Sequence, residues 1–405
     1  MKTYTIEELG AFISPFAAMA QDVSKGAAAG PLRGLTFALK DLYDVKGHIT
    51  GCGTPRWAET HEPALKNAAV LDLLLAAGAT LMGKSHTDEL AYSLLGMNPH
   101  YGTPLNPRAH DRIPGGSSNG SASATAGGVV DFAIGSDTGG SVRLPASFCG
   151  LFGMRPSHDR ISLKGVMPLA PSFDTAGWFA RDVKMLERIG RVLLQSSDKP
   201  QPKQPSKVLL AMDAFELMND GARDALLPLA EKVADKFGIP EKIQLSESGL
   251  TKWMEVFRVV QAREAWNSHA AWIQEAGTPT DWGVGARFKM GSKITDQDFE
   301  EGCASREKIT SHMHAVLGED VILISPTTPD IAPLKESSRD YFAAFRDQAL
   351  SILCPAGLAR LPQISIPVMA FNGAPLGLSL IGPPGQDEFL LHVAITVADD
   401  LKLAS

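Results

Sequence analysis

Pro114-Gly115-Gly116-Ser117-Ser118-Asn119-Gly120-Ser121 and Asp137-Thr138-Gly139-Gly140-Ser141-Val142-Arg143-Leu144-Pro145 are two serine- and glycine-dense stretches of one 405-residue chain. Between them lie small residues, 122–128, and a strand-like run, Val129-Val130-Asp131-Phe132-Ala133-Ile134. One such loop would read as a turn or a linker. Two loops alternating with packed elements do not, and a catalytic reading is favoured. Glycine lets a substrate approach the main chain, and successive N–H groups in such a loop can converge on a developing oxyanion. A serine becomes a nucleophile only when a neighbouring base activates it.

Gly116-Ser117-Ser118-Asn119-Gly120 satisfies the nucleophile-elbow pattern formally, but that elbow needs a buried strand before it. Residues 107–114, with two prolines and three charges, cannot supply one. Ser141 is better placed, just past the strand-like run and behind Gly139-Gly140, where α/β proteins gather their sites. None of the ten histidines sits in a comparable local pattern, and His312-x-His314 lacks a third metal ligand. Lysine offers another base. Gly34-Leu35-Thr36-Phe37-Ala38-Leu39 reads as a short buried strand that ends in Lys40-Asp41, and burial turns a lysine into a neutral amine.

Taken together, Lys40-Asp41, Gly115-Gly116-Ser117-Ser118 and Asp137-Thr138-Gly139-Gly140-Ser141-Val142-Arg143 resemble the amidase signature family of serine hydrolases. Further blocks are similar, among them residues 83–91, 98–103, 150–156, 324–327 and 376–383. The resemblance runs from about residue 35 to the end and is weakest between about 185 and 315. It implies an α/β fold, one large mixed β-sheet surrounded by helices. It also implies a single domain over 1–405, with an N-terminal helical segment at 1–30, a signature core at about 35–185 and a C-terminal part at about 205–405.

Carried onto this chain, the family's triad falls on Ser141 as nucleophile, Ser117 as bridging serine after a cis bond from Gly116, and Lys40 as base. The backbone N–H groups of Thr138, Gly139, Gly140 and Ser141 would form the oxyanion hole. Ser118 would support the site by hydrogen bonding, and Asp137 with Arg143 would hold the loop. This acyl-enzyme chemistry implies no metal and no cofactor. Within the family the likeness leans to plant-type indole-3-acetamide hydrolases, on residues 50–57, Ala91-Tyr92-Ser93 and 172–182. Tyr92, Met97, Trp57 and Phe173 are candidate pocket residues, with ordinary core packing as the competing reading of each. The expected substrate is a small, largely apolar primary amide. The rival readings are a glutaminase-type subunit of a tRNA-dependent amidotransferase and a non-catalytic interaction module on the same fold.

Composition agrees. With 44% hydrophobic residues the chain can build a large core. A net charge of −7 and no Lys/Arg run argue against nucleic acid or an anionic membrane as partner. The expected partner is a small-molecule amide, with a homodimer as the admissible assembly. Cys52, Cys149, Cys303 and Cys354 are scattered, which suits a reducing compartment. The N-terminus lacks a signal-peptide apolar core, so the expected location is cytoplasmic. Helix is expected over 63–77, 253–275, 298–317 and 388–401, strand at 79–82, 208–210, 321–324 and 363–366, and a surface loop at 196–207.

Overall fold

The computed structural model describes residues 4–13, 24–196, 203–277 and 281–403, with the side chains of residues 281 and 282 excepted. Ten strands make one sheet: β1 Thr36–Lys40, β2 Thr80–Ser85, β3 Phe132–Ser136, β4 Phe152–Arg155, β5 Ala176–Ala180, β6 Lys207–Ala211, β7 Glu241–Ile243, β8 Val321–Pro326, β9 Gln363–Phe371 and β10 Ala374–Ile381. Their spatial order is β2-β1-β3-β5-β4-β9-β10-β8-β6-β7. At one end β1 runs parallel to β2 and β3, and at the other β6 runs parallel to β7 and β8. The pairs between, from β3–β5 to β10–β8, are antiparallel. The sheet is therefore mixed, as expected from the resemblance.

The central strands are mostly apolar or small, with Arg155 closing β4 and Gln363 opening β9, as suits strands buried on both faces. All of β3, β4, β5 and β10 is buried. Two buried helices, the small-residue Asn119–Ala126 and Arg143–Cys149, lie against the sheet beside the two Ser/Gly loops. A second group, Leu250–Ala276, Asp296–Leu317 and Arg339–Leu358, packs together and encloses its own apolar core.

Several expectations need correction. The helix expected over 63–77 spans only Ala69–Ala76, and Leu65 is 87% exposed. Residues 64–69 instead spend their backbone N–H groups on neighbouring loops: Ala64 donates to His48, Ala68 to Asp44 and Ala69 to Lys164. The strand-like run 129–134 enters the sheet later, at Phe132, because Gly128 and Val129 still donate to Thr125 and Ala124 at the end of the preceding helix. Within the N-terminal segment, the described residues include a capped turn, Ile6–Leu9, stopped by left-handed Gly10. Residues 14–23 and 197–202, the latter within the expected surface loop, lie outside the described residues.

Candidate active site

β1 is short, apolar and flanked on both sides by parallel strands, so its last residue, Lys40, is delivered into the interior with no exposure. Its Nζ donates to Ser117 Oγ at 2.7 Å and to Ser136 Oγ at 2.9 Å. Burial disfavours the ammonium and pulls its pKa down to about 7, against the opposing pull of Asp88, Asp137 and Asp174. A substantial share of Lys40 is thus the free amine at neutral pH.

Ser117 follows a cis peptide bond from Gly116. Gly116 has no room for a side chain: a Cβ would lie 2.2 Å from Asp88 Oδ2 and 2.7 Å from Gly96 N. The two loops are stitched together at this point. Ser118 N donates to Ser141 O at 3.3 Å, and Ser118 Oγ both donates to Ser136 O and accepts from Ser136 N. The stitching brings Lys40, Ser117, Ser118 and Ser141 to one place, although no hydrogen bond joins Ser117 Oγ to Ser141 Oγ among the described residues. Asn119 opens the helix Asn119–Ala126 in ordinary backbone geometry rather than a left-handed turn.

The second loop is organised around one buried carboxylate. Asp137 accepts from Arg143 Nε at 3.0 Å and Nη2 at 2.7 Å, from Arg155 Nη1 at 3.1 Å, and from the N–H groups of Gly140 and Val142. Burial alone would raise its pKa, but Arg143 and then Arg155 outweigh it and hold the carboxyl well below the usual range. One expected oxyanion donor is therefore engaged, since Gly140 N–H points at Asp137 Oδ1 at 2.9 Å. The N–H groups of Thr138, Gly139 and Ser141 have no acceptor among the described residues. Thr138 is held from the other side by its hydroxyl, which donates to Asp174 at 2.6 Å.

Beside this centre lies a cavity of about 460 Å³. Asp88 links the two, because its side chain lines the cavity while its N–H donates to Ser117 O at 3.2 Å. Tyr92 and Met97 stand on the cavity wall with Leu95, Val284 and Phe342. Trp57 and Phe173 do not line it. Trp57 stacks on His61 at 3.9 Å and packs on Trp272, and Phe173 is buried against Phe257 beneath the Arg306 guanidinium. His312 and His314 each spend a ring nitrogen on a backbone carbonyl, of Leu245 and Ala359.

Sequence reasoning missed Ser136, Asp88, Arg155 and the arginines of the cavity. Ser136 had a usable signal: it ends β3, the parallel neighbour of β1, one residue beyond the position that the Leu39–Ile134 register sets level with Lys40.

A family model described as Amidase matches residues 12–220 and 253–391. The chain belongs to the amidase family. This amidase is 38% identical over 423 residues to Amidase 1 of Arabidopsis thaliana, covering 97% of this chain and 99% of that protein. It is 34% identical to translocon at the outer membrane of chloroplasts 64 of Pisum sativum, across 91% of this chain and 66% of that protein. A solved amidase structure superposes with a TM-score of 0.82 at 30% identity, covering 92% of this chain and 85% of that one. The family resemblance and the mixed-sheet fold read from the sequence are both borne out, and the protein is an amidase hydrolase.

Proposed function

We propose that this amidase hydrolyses a small, largely apolar primary amide to a carboxylic acid and ammonia, with Ser141 as nucleophile and Ser117 and Lys40 as its proton relay. The observation that carries the reading is the buried Lys40 amine at 2.7 Å from Ser117 Oγ, with its pKa drawn down to about 7. In the first step Ser141 Oγ bonds to the amide carbon while its proton passes to Ser117 and the Ser117 proton to Lys40. The carbonyl oxygen takes the negative charge beside the Thr138, Gly139 and Ser141 N–H groups. The C–N bond then breaks as the same relay, run backwards, protonates the departing nitrogen. Water attacks the acyl-enzyme, giving its proton to the relay, and the acid leaves with Ser141 restored. Ser118, Asp137 and Arg143 hold the two loops in register.

The apolar wall formed by Tyr92, Met97 and Phe342 favours an aryl-acetamide type of substrate, indole-3-acetamide among them. The absence of a Lys/Arg run and the net charge of −7 support a small-molecule substrate with no nucleic-acid partner. Ammonia release from indole-3-acetamide, phenylacetamide, benzamide, glutamine and short aliphatic amides tests the proposal. Activity on aryl-acetamides that falls to background in Ser141→Ala supports it. Cleavage of glutamine alone, or of none of the panel, overturns it.

A further inference from the structure

The cavity beside Ser117 has a charged wall that the proposed chemistry leaves unused. Arg258, Arg287 and Arg346 reach it from three helices, Leu250–Ala276, Ala286–Gly291 and Arg339–Leu358. Their charges are unequally answered. Arg258 Nη2 lies 2.6 Å from Asp347, which leaves Arg346 only a loose contact with the same carboxylate, at 3.7 Å. Arg287 has no ion pair and no hydrogen bond among the described residues and rests over the Tyr92 ring, 5.3 Å from its centroid. The Nε atoms of Arg287 and Arg346 are both closed off from solvent without an acceptor among the described residues.

The other acids of the cavity make no hydrogen bond or ion pair with Arg287 or Arg346 among the described residues, and the Asp88 charge acts on Arg287 only through space. Asp88 accepts from Gly96 N–H and Asn119, Glu89 pairs with His100 at 2.8 Å, and Asp340 is exposed. Burial, and then in Arg346 the neighbouring Arg287 charge, lowers the pKa of both guanidinium groups, that of Arg346 to about 9. Two cations thus stand close together on the wall of a space large enough for a small molecule. Guanidinium groups in such a setting match a planar carboxylate.

We propose that the preferred substrate of this amidase carries a carboxylate on the end remote from the amide, held by Arg287 and Arg346 while Tyr92 and Met97 cover its apolar body. The proposal rests on the amide-hydrolysis reading above and narrows its substrate class. The Arg287 and Arg346 guanidinium groups are specificity-determining and take no part in the proton relay.

The test compares 4-(carboxymethyl)phenylacetamide-type probes bearing one free carboxylate with neutral phenylacetamide, by ammonia release, in wild type, Arg287→Gln, Arg346→Gln and Arg287→Lys. The readout is the ratio of kcat/KM for the carboxylated amide to that for the neutral one, which cancels any loss of folded enzyme. The wild-type ratio is expected to exceed about ten, and each glutamine variant to lower it about tenfold, mainly through KM. Arg287→Lys, which keeps the charge, is expected to retain part of the preference. A wild-type ratio of one or below, with the neutral amide cleaved, overturns the carboxylate proposal and leaves the amide reading standing. A ratio unmoved by both glutamine variants overturns it as well. Cleavage of neither probe overturns this proposal together with the reading beneath it.

Discussion

Lys40 is chemically useful because it is buried without a carboxylate partner of its own. Its amine hydrogen-bonds only the hydroxyls of Ser117 and Ser136, and burial outweighs the more distant charges of Asp88, Asp137 and Asp174 enough to bring the neutral form within reach at neutral pH. Protonated Lys40 cannot take the Ser117 proton, so kcat/KM is expected to fall on the acid side with an apparent pKa near 7. Lys40→Met should lower kcat/KM by about 10²–10⁴-fold and abolish that acid limb, read from a pH–rate profile. Asp137 works in the opposite sense, as a carboxylate that must stay ionised. Asp137→Asn leaves Arg143 and Arg155 buried with their counter-ion removed, and a loss of about 3–5 kcal/mol in urea unfolding at pH 7 is expected. Because the folded pKa lies below the unfolded value, Asp137's contribution is complete above about pH 4 and lost as pH falls further. The destabilising effect of the substitution should therefore shrink in acid. Placement at strand ends singled out Ser141 and Lys40 in the sequence, whereas Ser117 could be proposed only through the resemblance to the amidase signature family. Asp88 and the cavity arginines could not, since Arg287 and Arg346 reach the cavity from helices far along the chain and nothing in their local spacing separates them from surface charges.

The helix Asn119–Ala126 owes its position to what it lacks. A Cβ on Gly120 would fall 2.3 Å from Ala11 O and 2.4 Å from His86 N, backbone atoms that cannot swing aside. The helix can lie flat against the end of β2 only with hydrogen there. Gly120→Ala is expected to cost about 1–3 kcal/mol in thermal or urea unfolding despite the better helix propensity of alanine, because overpacking against backbone outweighs it. Small-residue runs such as 119–126 are poorly legible in sequence for the same reason: their apolar periodicity is faint, and close approach rather than amphipathicity decides their conformation. The long helices Leu250–Ala276 and Asp296–Leu317 were legible within a few residues, since their length leaves no alternative. The segment 63–68 misled because its apolar spacing fits a helix while its backbone pairs with loops that sequence alone does not bring near.

Across the whole molecule the sheet is not laid down in chain order. The C-terminal hairpin of β9 and β10 is inserted between β4 of the first half and β8 of the second. Arg143, six residues past Asp137, also donates to Leu353 O and to Gln363 Oε1. A fragment ending at residue 196 would expose the β4 edge and leave Arg143 half satisfied. Such a fragment is expected to show no cooperative thermal transition by circular dichroism, and a cooperative melt would mean that the signature core folds by itself. The placement of the cavity has a different kind of consequence. Lys40, Ser117, Ser136 and Ser141 all come from the first 141 residues, whereas Arg258, Arg287, Arg346 and Phe342 come from beyond residue 257. The arginine wall is thus written on a separate part of the gene from the Lys/Ser cluster, while Tyr92 and Met97 join the cavity from the cluster's own part. Natural drift, or a combinatorial library confined to codons 258–347, can reshape the arginine side of the cavity while leaving untouched the cluster of Lys40, Ser117 and Ser141.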